Sequence, residues 1–168
     1  MSRGAKKPLY RRVNTRTHGV HHGHGGDYRN DRNTKKETRN ASSRGSMHSH
    51  HRHGYDYTPL FRFLLSKVGE DWSAVHSEAV SRLDREDPVY WLIARCAAEE
   101  RRFVRIGEST YYSGLCIDED NRLARVDPDL TVDLMSPSCA CCTHTFNGVP
   151  FTRAYDGIHF PAEGRLPD

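Results

Sequence analysis

"YDYTPLFRFLLSKVGEDW", residues 55–72, is the stretch where the apolar spacing of a folded element begins. Thr58 suits a helix N-cap, and Pro59 suits the first helical position, where no amide hydrogen is needed. Leu60, Phe61, Leu64, Leu65 and Val68 follow at helical spacing, and Gly69 stands where a C′ residue should. Asp71 can cap a second helix, whose apolar stripe is Trp72, Val75, Ala79 and Leu83. In "DREDPVYWLIARCAAEERR" (84–102), Asp87 and Pro88 predict the start of a third helix running to about Glu100, with Cys96 on its core side.

Downstream the period changes. "RFVRIG" (102–107), "TYYSGLCID" (110–118) and "NRLARVD" (121–127) are short, aromatic or β-branched, and separated by turn residues, which predicts a three-stranded antiparallel meander. "DEDN" (118–121) lacks the glycine and closing glutamate of a calcium loop and reads as a hairpin turn. "PDLTVDLM" (128–135) reads as a further strand or turn, and the turn-rich tail from Phe146 onward predicts little regular structure. The expected fold is α+β: three short helices, then a small meander. His76 lies beside the second helix's stripe and reads as a hydrogen-bonded core histidine. Arg101, Arg102 and Arg105 read as a solvated cluster at the third helix's end.

Upstream the composition differs. The chain is 36% hydrophobic and 28% charged, and the charge is unevenly divided. Residues 1–54 hold 13 Lys and Arg against 3 Asp and Glu, a net +10, while residues 55–168 hold 12 against 19, a net −7. Two domains are therefore expected: a basic His-, Arg- and Gly-rich arm over 1–54 and a small body over 55–168. The arm has too little apolar surface to offset the entropy of ordering, so it is expected to be disordered when free. Its cations recur among Asn, Thr and Gly, a pattern that suits threading along phosphates. Arg11, Arg12, Arg16, Arg29, Arg32, Lys35, Lys36 and Arg39 are the expected phosphate contacts. Eight of the 11 histidines also fall here, and a plain solubilising tail or weak metal handling remain open readings.

No apolar run follows "MSRGAKKPLYRR", so no secretory leader is expected, and no window approaches the ~18 apolar residues of a membrane span. Five cysteines, odd in number and clustered, suit a reducing cytoplasm better than a disulfide framework. No P-loop, dinucleotide fingerprint or nucleophile elbow occurs, and no enzymatic activity is expected. "PLFRFLLSKVGEDWSAVHSEA" (59–79), the meander and "CACCTHTFNG" (139–148) together resemble a set of small uncharacterised bacterial proteins. That resemblance covers about half the body and implies no activity, cofactor or site.

"SPSCACCTHTF" (136–146) concentrates three cysteines and a histidine within residues 139–144. Zinc takes thiolates and imidazole at tetrahedral positions, often from a C-x-x-C pair plus ligands from elsewhere. The expected set is Cys139, Cys142 and His144, completed by Cys116 from the meander, with Cys141 a silent neighbour. Small buried thiols and a reactive thiol are the competing readings. The function expected from arm and body together is RNA binding, as a ribosomal or ribosome-associated protein with rRNA and neighbouring ribosomal proteins as partners. A DNA-binding or phage-type inhibitor protein and a metal-dependent nucleic-acid enzyme are the alternatives.

Overall fold

The computed structural model describes residues 4–12, 55–106 and 109–159. The class is α+β, with two α-helices among the described residues rather than three and several small sheets rather than one meander. Strand β1 (Arg11–Arg12) pairs antiparallel with β2 (Tyr55–Asp56). Helix α1 (Thr58–Ser66) and helix α2 (Trp72–Ser81) follow, then β3 (Phe103–Arg105), β4 (Thr110–Ser113), β5 (Leu115–Ile117) and β6 (Leu123–Arg125). Strands β7 (Thr145–Phe146) and β8 (Val149–Pro150) complete the list. Among the described residues, no helix is long and apolar enough to cross a membrane.

Thr58 is the first helical residue of α1 and not its cap. The orphan amide is satisfied from further back: Asp56 Oδ1 accepts from Thr58 N at 3.0 Å and from Thr58 Oγ1 at 2.7 Å. The helix buries Leu60, Phe61 and Leu64, and stops at Ser66, which leaves Val68 outside it and exposed. Asp71 does cap α2, accepting from Ala74 N at 3.0 Å, and Val75 and Ala79 face the core. His76 is only partly buried; its ring is tilted against Trp72, and it meets Glu86 at 2.9 Å.

The third helix is replaced by a 3-10 turn at Asp87–Trp91 and another at Ala97–Glu99. Pro88 starts a helical turn, but Val89, Tyr90, Trp91 and Ile93 are branched or aromatic and lose side-chain freedom in a helix. A strand partner wins them instead: Leu115 N donates to Leu92 O and Ala94 N donates to Leu115 O, each at 2.8 Å. Cys96, expected in the core, is exposed. With no helix end there, Arg102 pairs with Asp127 at 2.7 Å, and Arg105 lies over the Tyr111 ring.

The meander is broken at Gly114. Strands β3 and β4 pair antiparallel, as do β5 and β6, but these are two separate sheets. A Cβ on Gly114 would fall on the Arg101 carbonyl oxygen, far inside contact distance, so only glycine lets the chain cross here. The second edge of β4 is taken, in parallel, by β7 from the tail, giving the order β3-β4-β7-β8. Asn147 and Gly148, at φ 52° and 83°, form the two-residue turn between β7 and β8. Asn147 also braces the turn against β4 by accepting from Ser113 N at 2.8 Å.

The N-terminal end of the segment expected as an arm is described over residues 4–12. Residues 4–12 lie on the body and not in an arm. Leu9 is 3% exposed within the main core, and its amide donates to Arg82 O at 2.9 Å. Lys6 meets Glu78 at 2.9 Å and Arg11 meets Asp56 at 2.6 Å. Because Arg12 and Tyr55 are paired neighbours, the 42 residues from 13 to 54 leave and rejoin the body at one place.

Leu9→Ala is expected to destabilise the fold by about 2–5 kcal/mol, as for other large-to-small core substitutions. Chemical denaturation measures it, and a loss under about 0.5 kcal/mol would mean the segment is a surface tether. Burial tends to raise the Asp56 carboxyl, but the Thr58 hydroxyl and amide and the Arg11 guanidinium outweigh it and hold it below its ordinary value. That stabilisation is present above the unfolded carboxyl value of about 3.9 and is lost as pH falls through the lower folded value. The stability difference between wild type and Asp56→Asn should therefore shrink as pH drops below about 4, in denaturant titrations at a series of pH values.

Candidate metal centre

Two buried residues frame the thiol loop, Met135 before it and His144 after it. Met135 belongs to a second, smaller core with Phe103, Tyr111, Leu130 and Phe146, and His144 lies against it through Tyr111 and Phe151. His144 is 2% exposed, stacked on Tyr111 with centroids 6.2 Å apart and tilted against Phe151 at 5.5 Å. A buried imidazole needs partners for both nitrogens. Nδ1 lies 3.1 Å from the Cys142 carbonyl, which only an N–H can approach, and Nε2 accepts from Ser138 N at 3.2 Å. The pattern fixes the Nδ1–H tautomer and leaves the Nε2 lone pair facing the loop. Ser138 Oγ is 2.9 Å from that nitrogen and Cys139 Sγ is 3.9 Å from it.

The three thiols converge on one another. Cys141 Sγ is 3.3 Å from Cys139 Sγ and 3.6 Å from Cys142 Sγ, and all three sulfurs lie within 4.8 Å of one another. Among the described residues, this is where three or more Cys, His, Asp or Glu ligand atoms gather within such a distance. The Cys141 thiol, helped by the backbone N–H groups of Cys141 and Cys142, holds the Cys139 thiol below its usual value. Hydrogen bonding to Cys141 and Cys139, with their charge, pushes Cys142 up to about 11. One thiolate is thus welcomed and a further one resisted, because a second thiolate beside the first calls for neutralisation of the accumulating charge. A divalent cation among the three sulfurs would supply that neutralisation.

The expected ligands separate on this geometry. Cys139 and Cys142 are brought together, and of the two it is the Cys139 sulfur that reaches His144 Nε2, at 3.9 Å. Cys116 is not with them: it sits on β5 opposite Ala124, in the other sheet. Burial raises its thiol, and the nearby carboxylates Glu100 and Asp118 raise it further, the reverse of what a thiolate ligand needs. Cys141, expected to be silent, supplies the central sulfur instead. Only the C-x-C overlap with C-x-x-C in "CACC" signals this in the sequence, and spacing alone does not say which pair converges. His159, in the tail, pairs with Asp156 at 2.8 Å and is exposed.

Of the expected phosphate contacts, Arg12 is exposed on β1, and Arg11 is committed to Asp56. Arg16, Arg29, Arg32, Lys35, Lys36 and Arg39 lie outside the described residues. Compared with known proteins, the chain matches no family model, no curated protein and no solved structure. The fold and site therefore define a small α+β protein with a three-thiol loop seated on a buried histidine.

If these thiols hold a metal, Cys141→Ser is expected to lower bound zinc as much as Cys139→Ser does, while Cys116→Ser leaves it unchanged. Elemental analysis of the purified variants reads this directly. Full zinc in Cys141→Ser with none in Cys116→Ser would restore the ligand set expected from spacing.

Proposed function

We propose that this chain is an RNA-binding protein whose thiol loop is closed by a structural zinc ion. The metal half rests on one observation: three sulfurs lie within 4.8 Å of one another on one loop, and one of them, Cys139 Sγ, is 3.9 Å from His144 Nε2. Cys139, Cys141, Cys142 and His144 make a Cys₃His set, a donor combination that suits zinc. The Cys142 carbonyl already fixes the tautomer such a ligand needs, as outer partners of metal-bound histidines do. Ser138 is the group the ion would displace from Nε2. Such an ion supplies cross-linking and no reaction chemistry; it would tie the loop to the small second core, where few apolar residues hold it.

The RNA half rests on charge. Residues 13–54 carry eight Lys and Arg, three Asp and Glu, and eight histidines, with Gly, Asn and Thr between them. Backbone phosphates are the chemistry that recognises such a segment, and folded ribosomal RNA offers them at high density. Connectivity ties this segment to the body at both ends, at Arg12 and Tyr55. A tethered base limits how far the loop can range, which favours a docked body over a free-swinging tail.

Deleting everything before Tyr55 would test this badly, because Leu9 would leave the core with the charge. Replacing residues 13–54 by an Asn-Gly turn that joins Arg12 to Tyr55 removes the loop alone. The excised protein should stay folded and gain stability, since each halving of loop length returns about 0.6 kcal/mol of closure entropy. It should lose most of its affinity for an rRNA fragment. The parent's affinity should fall with salt, each neutralised phosphate adding about 0.7–0.9 to the slope of log affinity against log salt. Equal RNA binding by both proteins at one salt concentration would sink the proposal, and tighter binding to duplex DNA than to RNA would move it to the DNA alternative.

A further inference from the structure

We infer that Cys139 and Cys141 are a disulfide site, closed by hydrogen peroxide, and that closing it dismantles the metal position of the thiol loop. The second half rests on the zinc reading proposed above; the first does not.

The geometry selects the pair. Cys139 and Cys141 sulfurs are 3.3 Å apart, and reaching the roughly 2.05 Å of a disulfide takes a side-chain shift of about 1 Å. Cys141 and Cys142 are nearly as close, at 3.6 Å, but they are adjacent in sequence. Their disulfide would close a tight ring through a single peptide bond, which a planar trans amide resists. Cys141 is exposed and Cys139 partly so, open to a small oxidant. The loop's ends are pinned by Met135 and His144, so the sulfurs are held together without needing the metal to gather them.

The chemistry balances with peroxide alone. One sulfur, as thiolate, attacks a peroxide oxygen; the O–O bond breaks, a sulfenic acid forms and hydroxide leaves. The second sulfur then attacks the sulfenic sulfur, the S–S bond forms, and the sulfenic oxygen departs as water with the second thiol's proton. Two thiols give up two electrons and two protons, and one peroxide becomes two waters. Two small thiols in succession reverse the step by exchange through a mixed disulfide. Oxidation leaves only Cys142 and His144 at the site, too few donors for a tetrahedral ion.

The experiment uses the full chain, zinc-loaded and metal-free, treated with one equivalent of hydrogen peroxide. Free thiols should fall from five to three per chain, counted against the five cysteines of the sequence. Peptide mapping should place the bond between Cys139 and Cys141, and a chromogenic chelator should register zinc released in step with it. Cys142→Ser should still form the bond, and Cys141→Ser should not. An unchanged thiol count, or a map that places the oxidation at Cys96 or Cys116, overturns the disulfide. A disulfide at 139–141 in a protein that never held zinc supports the site and removes the zinc reading alone. Zinc retained by chains in which that disulfide is complete overturns the coupling between the two.

Discussion

Everything in this fold turns on the contact between Gly114 and the Arg101 carbonyl. The chain must run through Thr110–Ile117 without interruption, yet it serves two sheets, and the crossing leaves no room for a side chain. Gly114 N donates to Arg102 O at 3.1 Å, and Gly114 O accepts from Val126 N at 2.9 Å, so both backbone groups are satisfied during the crossing. The strand before it separates two cores. Successive side chains on a strand point to opposite faces, and Tyr112 accordingly packs on Phe61 in the main core while Tyr111 packs on Phe103 in the second. Without the crossing, β4 would have no free edge for β7, and His144 would have no aromatic bed.

That bed explains why a loop of small polar residues has a defined shape. The thiol loop contributes almost nothing apolar of its own. Its form is imposed from below, by one imidazole whose two nitrogens bind the loop's backbone at Ser138 and Cys142. The ring's stacking on Tyr111 and Phe151 is what anchors those hydrogen bonds, because a buried imidazole is costly unless both nitrogens are matched. The sulfurs then crowd together as a by-product of the loop's curvature. A reactive cluster is thus held by residues that are not themselves reactive.

The parts of this arrangement that were legible from sequence are those governed by a few neighbouring residues. Asp71 caps α2 because the cap is a local hydrogen bond, and Pro88 starts a turn because its ring fixes φ locally. The parts that were hidden depend on distant partners. Residues 89–94 abandon the helix because Leu115 offers backbone groups that no local pattern reveals. Leu9 is a lone leucine in a polar segment, and only the cleft it fills identifies it as core. The Asn147-Gly148 hairpin is different: its dipeptide is a strong turn signal in plain view, outweighed in the reading by the proline and glycine around it. At the site, two of the three gathered thiols, Cys139 and Cys142, were legible from the C-x-x-C spacing. The roles of Cys141 and Cys116 were not, since loop curvature decides one and sheet membership the other.

The docked segment at residues 4–12 has a consequence for how the molecule responds to being cut. A protease that nicks the chain between Arg12 and Tyr55 severs a covalent link and leaves the contacts of residues 4–12 with the body in place. The short N-terminal piece would keep its leucine in the cleft, its ion pairs to Glu78 and Asp56, and its two-residue ladder to β2. The nicked molecule would be a two-chain assembly held by a peptide of nine described residues, and the same two pieces made separately would be a complementation pair. Molecules in which one such peptide is exchanged for another of equal shape could be assembled by mixing, with no ligation at all.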